Sequence, residues 1–352
     1  MLDIFGPKAL LGLDIGSSSI KAVQLKDLKT GYELELFDYL PIDSDLIVEN
    51  VVADSQKLSD AIKALVKKAK IKTKNVVISI SGHSSVIIKR ITLPDMTEEV
   101  LNENIRYEAE QYVPFGIDDV NLDYQILGPA DEPGQIDVIL VAVKKDVLNS
   151  YISAVKDAGL TPVIVDVDAF TLENMYGANY KSEAARSVAL LNVGASNTTI
   201  NILKSGISAF TRDSSIGSRN HTEALMRQFS VSYEDAEKIK AGMTVNGVTP
   251  EQAAPVLDGV SEDIVMEINH SLDFFSDSPE MEAIEGLWLG GGGALVKGLK
   301  EKLSDMTGYP VSLLNPFKDI KIPKGIDAAY IESIAPIATI AVGLATRRLG
   351  DR

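Results

Sequence analysis

A four-residue pattern occurs twice in this chain, about half a chain length apart. The first copy is Leu13-Asp14-Ile15-Gly16 and the second is Leu191-Asn192-Val193-Gly194. Each copy ends an apolar run, and small polar residues and an alternating strand follow it, which predicts two hairpins of one design. Four matching residues alone can recur by chance, but the shared context leads us to interpret the chain as an internal duplication.

The overall composition excludes several classes of protein. The chain has 352 residues, which is enough for two large lobes with cores of their own. It has no cysteine, so disulfides and cysteine-based metal or redox sites are excluded, and its three histidines lie far apart in sequence. The net charge of −16 disfavours nucleic acid and anionic lipid as broad-surface partners, because both are polyanions.

Neither end of the sequence is typical of a membrane segment. Residues 1–8 have no basic region and no long apolar stretch, so we expect no signal peptide. The late apolar run, Ile334–Ala345, is shorter than a bilayer span and predicts a buried helix that continues to Arg348. We therefore expect a cytoplasmic protein without direct membrane insertion.

The remaining pattern predicts an α/β fold in which strands and helices alternate after the opening strands. Apart from the two strands that carry the repeat, strands are predicted at 19–25, 32–39, 76–81, 136–143, 162–167, 197–203, 207–212, 287–289 and 310–313. Helices are predicted at 58–70, 97–112, 146–158, 218–229, 232–241, 262–276, 295–307 and 334–348, with Thr97 as an N-cap.

The turn of the first hairpin has residues suited to binding a phosphate. A glycine lets the backbone turn tightly, and the N–H groups that follow it can form an anion-binding concavity. Asp14 ends the strand before the turn and is a candidate Mg²⁺ ligand. The candidate phosphate-binding residues are Gly16, Ser17, Ser18, Ser19 and Lys21. An ordinary hairpin turn would have a similar sequence.

The second hairpin offers the equivalent candidates on the other half, and a glycine run follows later. The candidates of the second turn are Asn192, Gly194, Ala195, Ser196, Asn197 and Thr198. The run Gly290–Gly293 joins a strand to a helix, so Gly290, Gly291 and Gly292 would let a flat ligand lie against the backbone near a helix N-terminus. It is neither a P-loop nor a dinucleotide fingerprint, and a tight structural turn is the alternative.

Glu237 and Lys240 lie three residues apart on a predicted helix and share one face of it. By spacing alone a solvated charged face is the simpler interpretation. However, the order of strand-hairpin, strand-hairpin and strand-glycine-helix resembles the sugar kinase/Hsp70/actin superfamily. That resemblance implies that the first two motifs bind phosphates from opposite lobes, that the glycines bind adenosine, and that Glu237 and Lys240 contact ribose.

Within this superfamily the whole chain most resembles the PilM family, the FtsA-like cytoplasmic components of type IV pilus machines. The segments that carry the resemblance are Leu11–Ile15, Arg106–Phe115, Asp166–Phe170, Leu289–Gly292 and Asn315–Phe317. The resemblance implies a duplicated actin-like ATPase fold with two lobes and an FtsA-type inserted subdomain. It implies four subdomains: 1–85 with 322–352, the inserted unit 86–162, 163–220 with 285–321, and the helical unit 221–284.

The resemblance also implies a function. ATP and Mg²⁺ would lie between the lobes, and the protein would be a scaffold of a type IV pilus or related secretion machine. The N-terminal cytoplasmic tail of a PilN-like inner-membrane protein would recruit it, so that it is peripheral to the inner membrane, and self-association is compatible with the family. The membrane-binding helix of FtsA is not expected here.

One departure from the family pattern bears on hydrolysis. Position 192 is Asn where the family usually has Asp, so the site loses a charge that would hold the metal or orient water, and we expect slow hydrolysis or none. Asp168 is a possible water-positioning carboxylate, or simply a helix cap. Three alternatives stay open: an FtsA-like filament-forming ATPase, a small-molecule kinase of the same superfamily, and an interaction module with a vestigial ATP site.

Overall fold

The structure is a computed structural model that describes residues 10–183, 185–276 and 283–351. Its strands are β1 Leu11–Ile15, β2 Ser19–Leu28, β3 Gly31–Pro41, β4 Ile47–Val48, β5 Val51–Val52, β6 Asn75–Ile80, β7 Val86–Pro94, β8 Val120–Pro129, β9 Gln135–Lys144, β10 Thr161–Val167, β11 Val188–Val193, β12 Thr198–Lys204, β13 Ile207–Ser214, β14 Gly286–Gly290, β15 Val311–Leu313 and β16 Ile320–Lys321. Its α-helices are α1 Ser55–Lys68, α2 Glu98–Ala109, α3 Lys145–Asp157, α4 Asp168–Asn179, α5 Arg219–Phe229, α6 Tyr233–Lys240, α7 Pro250–Ser276, α8 Leu299–Thr307, α9 Ala328–Ile334 and α10 Thr339–Thr346.

Two mixed sheets form the framework, and each is built around one copy of the repeated hairpin. The first has the order β10-β6-β1-β2-β3-β16 and the second β13-β12-β11-β14-β15. In each, the first hairpin strand pairs antiparallel with the next strand of the chain and parallel with a later one, β6 or β14. The repeated motif therefore marks a real duplication of sheet topology.

Two helices, α4 and α10, pack between the sheets and join the halves through one apolar core. This core contains Val77 of the first sheet, Leu190 of the second, Leu172 of α4 and Ile340 of α10. The helices cross closely at Gly343, where a Cβ atom would lie 1.9 Å from the carbonyl oxygen of Thr171. A glycine is required there, because the crossing has no space for a side chain.

The late apolar segment forms the last part of this core. Among the described residues, Ala328–Thr346 has the length and composition of a membrane span, but 61% of its apolar window is buried inside the fold. The predicted single helix over 334–348 is wrong in its bounds, since a 3₁₀ turn at Ala335–Ala338 separates α9 from α10. Pro336 lies in that turn and has no N–H to continue an α-helix.

Outer helices cover the other face of each sheet. On the first sheet, α1 and α3 bury Leu58 and Val147 in a second core. On the second sheet, α7 and α8 bury Ile264 and Leu303. Each sheet therefore has apolar residues on both faces, as expected for the central strands of an α/β fold.

A small sheet of order β7-β9-β8 lies apart from the two main sheets and packs against α2. Its strands β7 and β8 were not predicted, and α2 ends at Ala109 rather than at residue 112. Thr97 is the predicted N-cap, with its hydroxyl accepting from the Val100 N–H at 3.4 Å. The inserted unit was predicted to extend to residue 162. In the structure, α3 packs on the first main sheet, and β10 belongs to that sheet through its pairing with β6.

A helical cluster completes the second half. The helices α5, α6 and the first part of α7 bury Leu225, Ile239 and Leu257 together. Helix α7 begins at Pro250, not at residue 262 as predicted. Pro255 lies inside the helix, where a proline normally indicates a boundary, and is accommodated here. The predicted helix 295–307 is also shorter, since Gly292–Leu295 is a 3₁₀ turn and α8 starts at Leu299.

Candidate functional site

A cavity of about 580 Å³ lies between the two halves. It is located where the parallel strands β1, β6, β11 and β14 end, the usual position of ligand sites in open α/β sheets. Its volume is in the range of pockets that bind a small molecule or cofactor. The predicted site residues that line it are Asp14, Gly16, Ser17, Ser18, Ser19, Lys21, Asp168, Asn192, Gly194, Ala195, Asn197, Glu237, Lys240, Gly291 and Gly292.

Three predicted site residues do not line the cavity and instead hold its walls in place. Ser196 accepts a hydrogen bond from the Ser17 hydroxyl at 2.8 Å, which ties the two turns together. Thr198 is fully buried, and its hydroxyl donates to the carbonyl of Ile216 at 2.8 Å. Gly290 lies behind the cavity wall, where a Cβ atom would come within 2.8 Å of the Thr339 methyl group.

The two hairpin turns have the same backbone geometry. The N–H of Gly16 donates to the carbonyl of Ser19 at 3.2 Å, and the N–H of Gly194 donates to that of Asn197 at 2.8 Å. Both turns face the cavity from opposite sheets. The amide groups of such turns suit an anion located between them.

Asp14 and Lys21 form an ion pair at the base of the first turn. They are direct cross-strand neighbours in the β1–β2 ladder, and their Oδ2 and Nζ atoms are 3.1 Å apart. Both side chains are largely buried, with 11% and 13% exposure. A phosphate and a cation that enter together would each find a partner of opposite charge here.

Asp168 is the first residue of α4 and accepts a hydrogen bond from the Ser79 hydroxyl at 2.5 Å. Burial raises the pKa of its carboxyl to about 7, and the negative charge of Asp14 adds to this, while the hydrogen bonds of Ser79 and Ser81 act in the opposite direction. Near neutral pH this carboxyl therefore exists in both protonation states and can accept or donate a proton.

Asn192 is the counterpart of Asp14 at the end of β11. Its side-chain oxygen accepts a hydrogen bond from the Thr339 hydroxyl of α10 at 3.0 Å. The amide is neutral and already bonded, so the second turn has no counterpart of the Asp14–Lys21 pair. The charged cross-strand pair thus occurs in the first hairpin alone.

Glu237 and Lys240 lie on the cavity wall and not on a solvated helix face. Their Oε1 and Nζ atoms are 2.6 Å apart, and Lys240 is only 14% exposed. The Thr222 hydroxyl accepts from Lys240 at 2.8 Å and donates to Glu237. Behind them, burial lowers the pKa of His221 to about 4, assisted by the charge of Lys240, so this imidazole stays neutral.

Several lining residues were not predicted from the sequence. Polar ones come from the end of β6 and from the starts of α5 and α6, and apolar ones come from the glycine-rich turn and the α9–α10 segment. They include Ser79, Ser81, Arg219, Tyr233, Leu295, Val296, Ile334, Ile337 and Ile340. The serines could have been found, because they end a predicted strand that is parallel to β1. Arg219 belongs to no recognised motif.

The lining fits a nucleotide better than it fits a free metal ion. Gly291 has φ +82°, and a Cβ atom there would lie 2.4 Å from the carbonyl oxygen of Val193, whereas Gly292 faces open space. The glycine turn therefore presents backbone without side chains next to the apolar residues that line the cavity. Among the described residues no cluster of three or more acidic or histidine side chains could hold a metal. A magnesium ion would need phosphate oxygens and water as further ligands, which is its usual mode of binding.

Comparison with known proteins decides the family. The family model described as "Type IV pilus assembly protein PilM" matches residues 12–349 of this chain. The chain belongs to the PilM family. A solved structure of a PilM-PilN type IV pilus biogenesis complex is similar with a TM-score of 0.86 and 28% identity, and the match covers 96% of this chain and 97% of that one.

More distant proteins resemble this PilM-family chain in sequence or in fold. The cell division protein FtsA of Bacillus subtilis (strain 168) is 23% identical over 272 residues, and the match covers 69% of this chain and 60% of FtsA. The ethanolamine utilization protein EutJ from Carboxydothermus hydrogenoformans has a TM-score of 0.60 at 14% identity, with 98% and 92% of the chains covered. The ADP-bound MreB5 of Spiroplasma citri has a TM-score of 0.52 at 13% identity, with 96% and 94% covered. The last two likenesses concern the two-lobed fold alone.

Proposed function

We propose that this chain is an ATP-binding scaffold of type IV pilus or related secretion machinery. The observation that carries the proposal is the cavity between the duplicated halves, into which both hairpin turns and the glycine turn project. In a PilM-family protein, that position favours a nucleotide as the ligand. The scaffold would act through the state of its two lobes, and not through a substrate that it converts.

Specific residues would hold each part of the nucleotide. The backbone N–H groups of the turns at 16–19 and 194–197, with Lys21, would bind phosphates. Asp14 would hold Mg²⁺ through water, and the ion would neutralise phosphate charge. Gly291 and Gly292 would accept adenine against the backbone, while Glu237 and Lys240 would contact the ribose.

The same residues support slow turnover. Asn192 contributes no charge, and its side-chain oxygen is occupied by the Thr339 hydroxyl, so it is a poor orienter of an attacking water. Asp168 is the remaining carboxyl that could position a water, and burial keeps it partly protonated at neutral pH. We expect turnover well below the roughly one per second of a working kinase.

The partner of this scaffold would be a PilN-like inner-membrane protein. The supporting observation is the likeness, over 96% of this chain, to the solved PilM-PilN complex. The N-terminal cytoplasmic tail of the partner would bind the chain, which would then be cytoplasmic and peripheral to the inner membrane. The large buried fraction of Ala328–Thr346 supports a membrane attachment through the partner instead of through this helix.

The division into four subdomains is part of the same proposal. The first lobe would be built on the six-stranded sheet, the second on the five-stranded sheet, and the helical unit on the cluster of α5, α6 and α7. The inserted unit would comprise the small sheet and α2. Because α3 packs on the first sheet, we place the end of the inserted unit at Lys144.

A peptide-binding experiment tests the proposed scaffold role. A fluorescent synthetic peptide with the N-terminal cytoplasmic sequence of the PilN-like protein from the same source is titrated with the full chain, and a scrambled peptide is the control. We expect saturable binding of the native sequence alone, with an affinity that differs between nucleotide-free and Mg-ATP-loaded protein. Equal affinity for both peptides would overturn the partner, and an unchanged affinity with ATP would overturn the nucleotide dependence.

A further inference from the structure

Arg219 is anchored to the second hairpin turn by its backbone. It is the first residue of α5, and its N–H donates to the carbonyl of Ala195 at 2.8 Å, next to a bond from the Ser218 N–H to the carbonyl of Gly194, also at 2.8 Å. The preceding Gly217 packs so tightly on this turn that a Cβ atom would lie 2.5 Å from the Ala195 carbonyl oxygen. The start of α5 therefore moves with the second half.

The side chain of Arg219 reaches the other half. Its Nη2 atom donates to the carbonyl of Ser17 in the first turn at 2.8 Å. Its Nε atom is buried and has no hydrogen-bond partner within the described residues. One guanidinium thus spans the gap between the two turns, and the Arg219 side chain also lines the cavity.

The charge of Arg219 is not neutralised by a carboxylate. The two ion pairs of the cavity are Lys21 with Asp14 and Lys240 with Glu237. No ion pair among the described residues involves Arg219, whose side chain instead hydrogen-bonds with the Tyr233 side chain, and Asn192 beside the same turn is neutral. A partly buried guanidinium that has no carboxylate partner favours the binding of an anion beside it.

We propose that Arg219 is a phosphate-binding residue that couples nucleotide occupancy to closure of the two lobes. This inference rests on the proposed nucleotide function. The planar guanidinium carries several N–H donors in a geometry that fits phosphate oxygens. A polyphosphate between the turns offers acceptors to the guanidinium of Arg219, which lines the cavity, and because the backbone of Arg219 belongs to the second half, the contact draws that half onto the first.

The test compares Arg219→Gln with Arg227→Gln, an equal loss of charge at an exposed position of the same helix. Calorimetry measures ATP and adenosine binding to each full-length protein. We expect Arg219→Gln to weaken ATP binding about tenfold or more while adenosine binding stays unchanged, because adenosine has no phosphate. Arg227→Gln should match the wild type for both ligands.

Amide hydrogen exchange supplies a readout that does not depend on affinity. At saturating ATP, the turn at residues 16–19 should be protected in the wild type and clearly less protected in Arg219→Gln. Circular dichroism checks that this variant is folded. If it is not folded, Arg219→Lys replaces it, since a lysine keeps the charge but lacks the planar set of N–H donors. For that variant we expect ATP affinity and protection of residues 16–19 between those of the wild type and those expected for Arg219→Gln.

The outcomes separate this inference from the function on which it rests. If the wild type binds ATP and Arg219→Gln binds it equally well with equal protection of residues 16–19, Arg219 has no phosphate role. The same conclusion follows if ATP and adenosine affinities fall together. If the wild type binds no ATP, the proposed nucleotide function fails and this inference fails with it.

Discussion

The two hairpin turns differ in their charges although their backbones are the same. In the first, Asp14 pairs across the ladder with Lys21; at the equivalent places of the second are Asn192 and Thr199. Each turn is closed by the same glycine N–H bond to a carbonyl three residues later. The two turns thus have the same backbone on both sides of the cavity, but the charged cross-strand pair occurs in the first turn alone.

The strands beside the hairpins show a related difference. On the first half β6 is followed by Ser81 and Gly82, and its Ser79 holds Asp168. On the second half β14 ends at Gly290 and leads to Gly291, where no side chain fits. Beside its hairpin, the first half therefore places a buried hydroxyl and a carboxyl at the cavity, whereas the second half places backbone without side chains there.

The largest expected effect contrasts two adjacent glycines of that backbone. Gly291→Ala should destabilise the protein by about 2–5 kcal/mol, because the left-handed φ and the overlap with the Val193 carbonyl both oppose a side chain. Gly292→Ala should change the unfolding free energy by less than about 1 kcal/mol, since its Cβ meets open space. Urea unfolding measures both free energies. Similar values for the two variants would contradict the left-handed conformation and the close contact with Val193 described for Gly291.

The next largest effect compares substitutions at the equivalent positions of the two hairpins, Asp14 and Asn192. Asp14→Ala should weaken ATP binding about 10–100-fold in Mg²⁺ and much less in a chelator, because the carboxylate acts through the metal. Asn192→Ala, its counterpart, should cost less than about threefold under either condition. Calorimetry with and without Mg²⁺ measures these affinities. If Asp14→Ala weakens ATP binding equally with and without Mg²⁺, Asp14 does not act through the metal.

A smaller effect concerns the pH dependence of stability in protein free of nucleotide and Mg²⁺. Because the pKa of Asp168 is raised to about 7, the folded state binds its proton more tightly than the unfolded state, and stability falls as pH rises from about 4 to 7. Asp168→Asn removes this loss, so its stability relative to the wild type should rise by on the order of 1–2 kcal/mol between pH 5 and 8. Urea unfolding measures both proteins at both pH values. If the difference in unfolding free energy between Asp168→Asn and the wild type is the same at pH 5 and pH 8, Asp168 has an ordinary pKa.

The smallest expected effect concerns the hydrogen bond that joins the two turns. The Ser17 hydroxyl donates to the Ser196 hydroxyl across the halves at 2.8 Å. Ser17→Ala and Ser196→Ala should each cost about 0.5–1.5 kcal/mol of unfolding free energy, and the double variant should cost no more than either. Additive costs in this double-mutant cycle would mean that the two hydroxyls do not interact.

Much of the framework could be predicted because periodicity and turn residues are local signals. The hairpins, β6, β9, α1, α3 and the glycine turn were predicted within a few residues of their observed bounds. Helix α7 was predicted too short, from residue 262, whereas it begins at Pro250 and continues through Pro255. The strands β7 and β8 were missed. The pairing of β7 with β9 connects segments far apart in sequence, whereas β8 and β9 form a hairpin across residues 130–134 that a local turn signal could have revealed.

The candidate site could be predicted only where a motif carries it. Asp14 and the turn residues were found from a strand followed by glycine, and Glu237 and Lys240 from a family resemblance. Thr198 was included by extension of the motif, although it points into the protein and bonds to Ile216. Arg219 was missed, since its reach to Ser17 exists only in the assembled fold, 202 positions away in sequence.

The most direct test of the central claim is a calorimetric titration of nucleotide-stripped full chain with Mg-ATP, with phosphate release followed in the same sample. We expect saturable binding with a stoichiometry of about one per chain and turnover far below about one per second. Absence of binding would contradict the assignment of the cavity to a nucleotide. Binding with rapid phosphate release would contradict the assignment of a scaffold whose neutral Asn192 leaves hydrolysis unsupported.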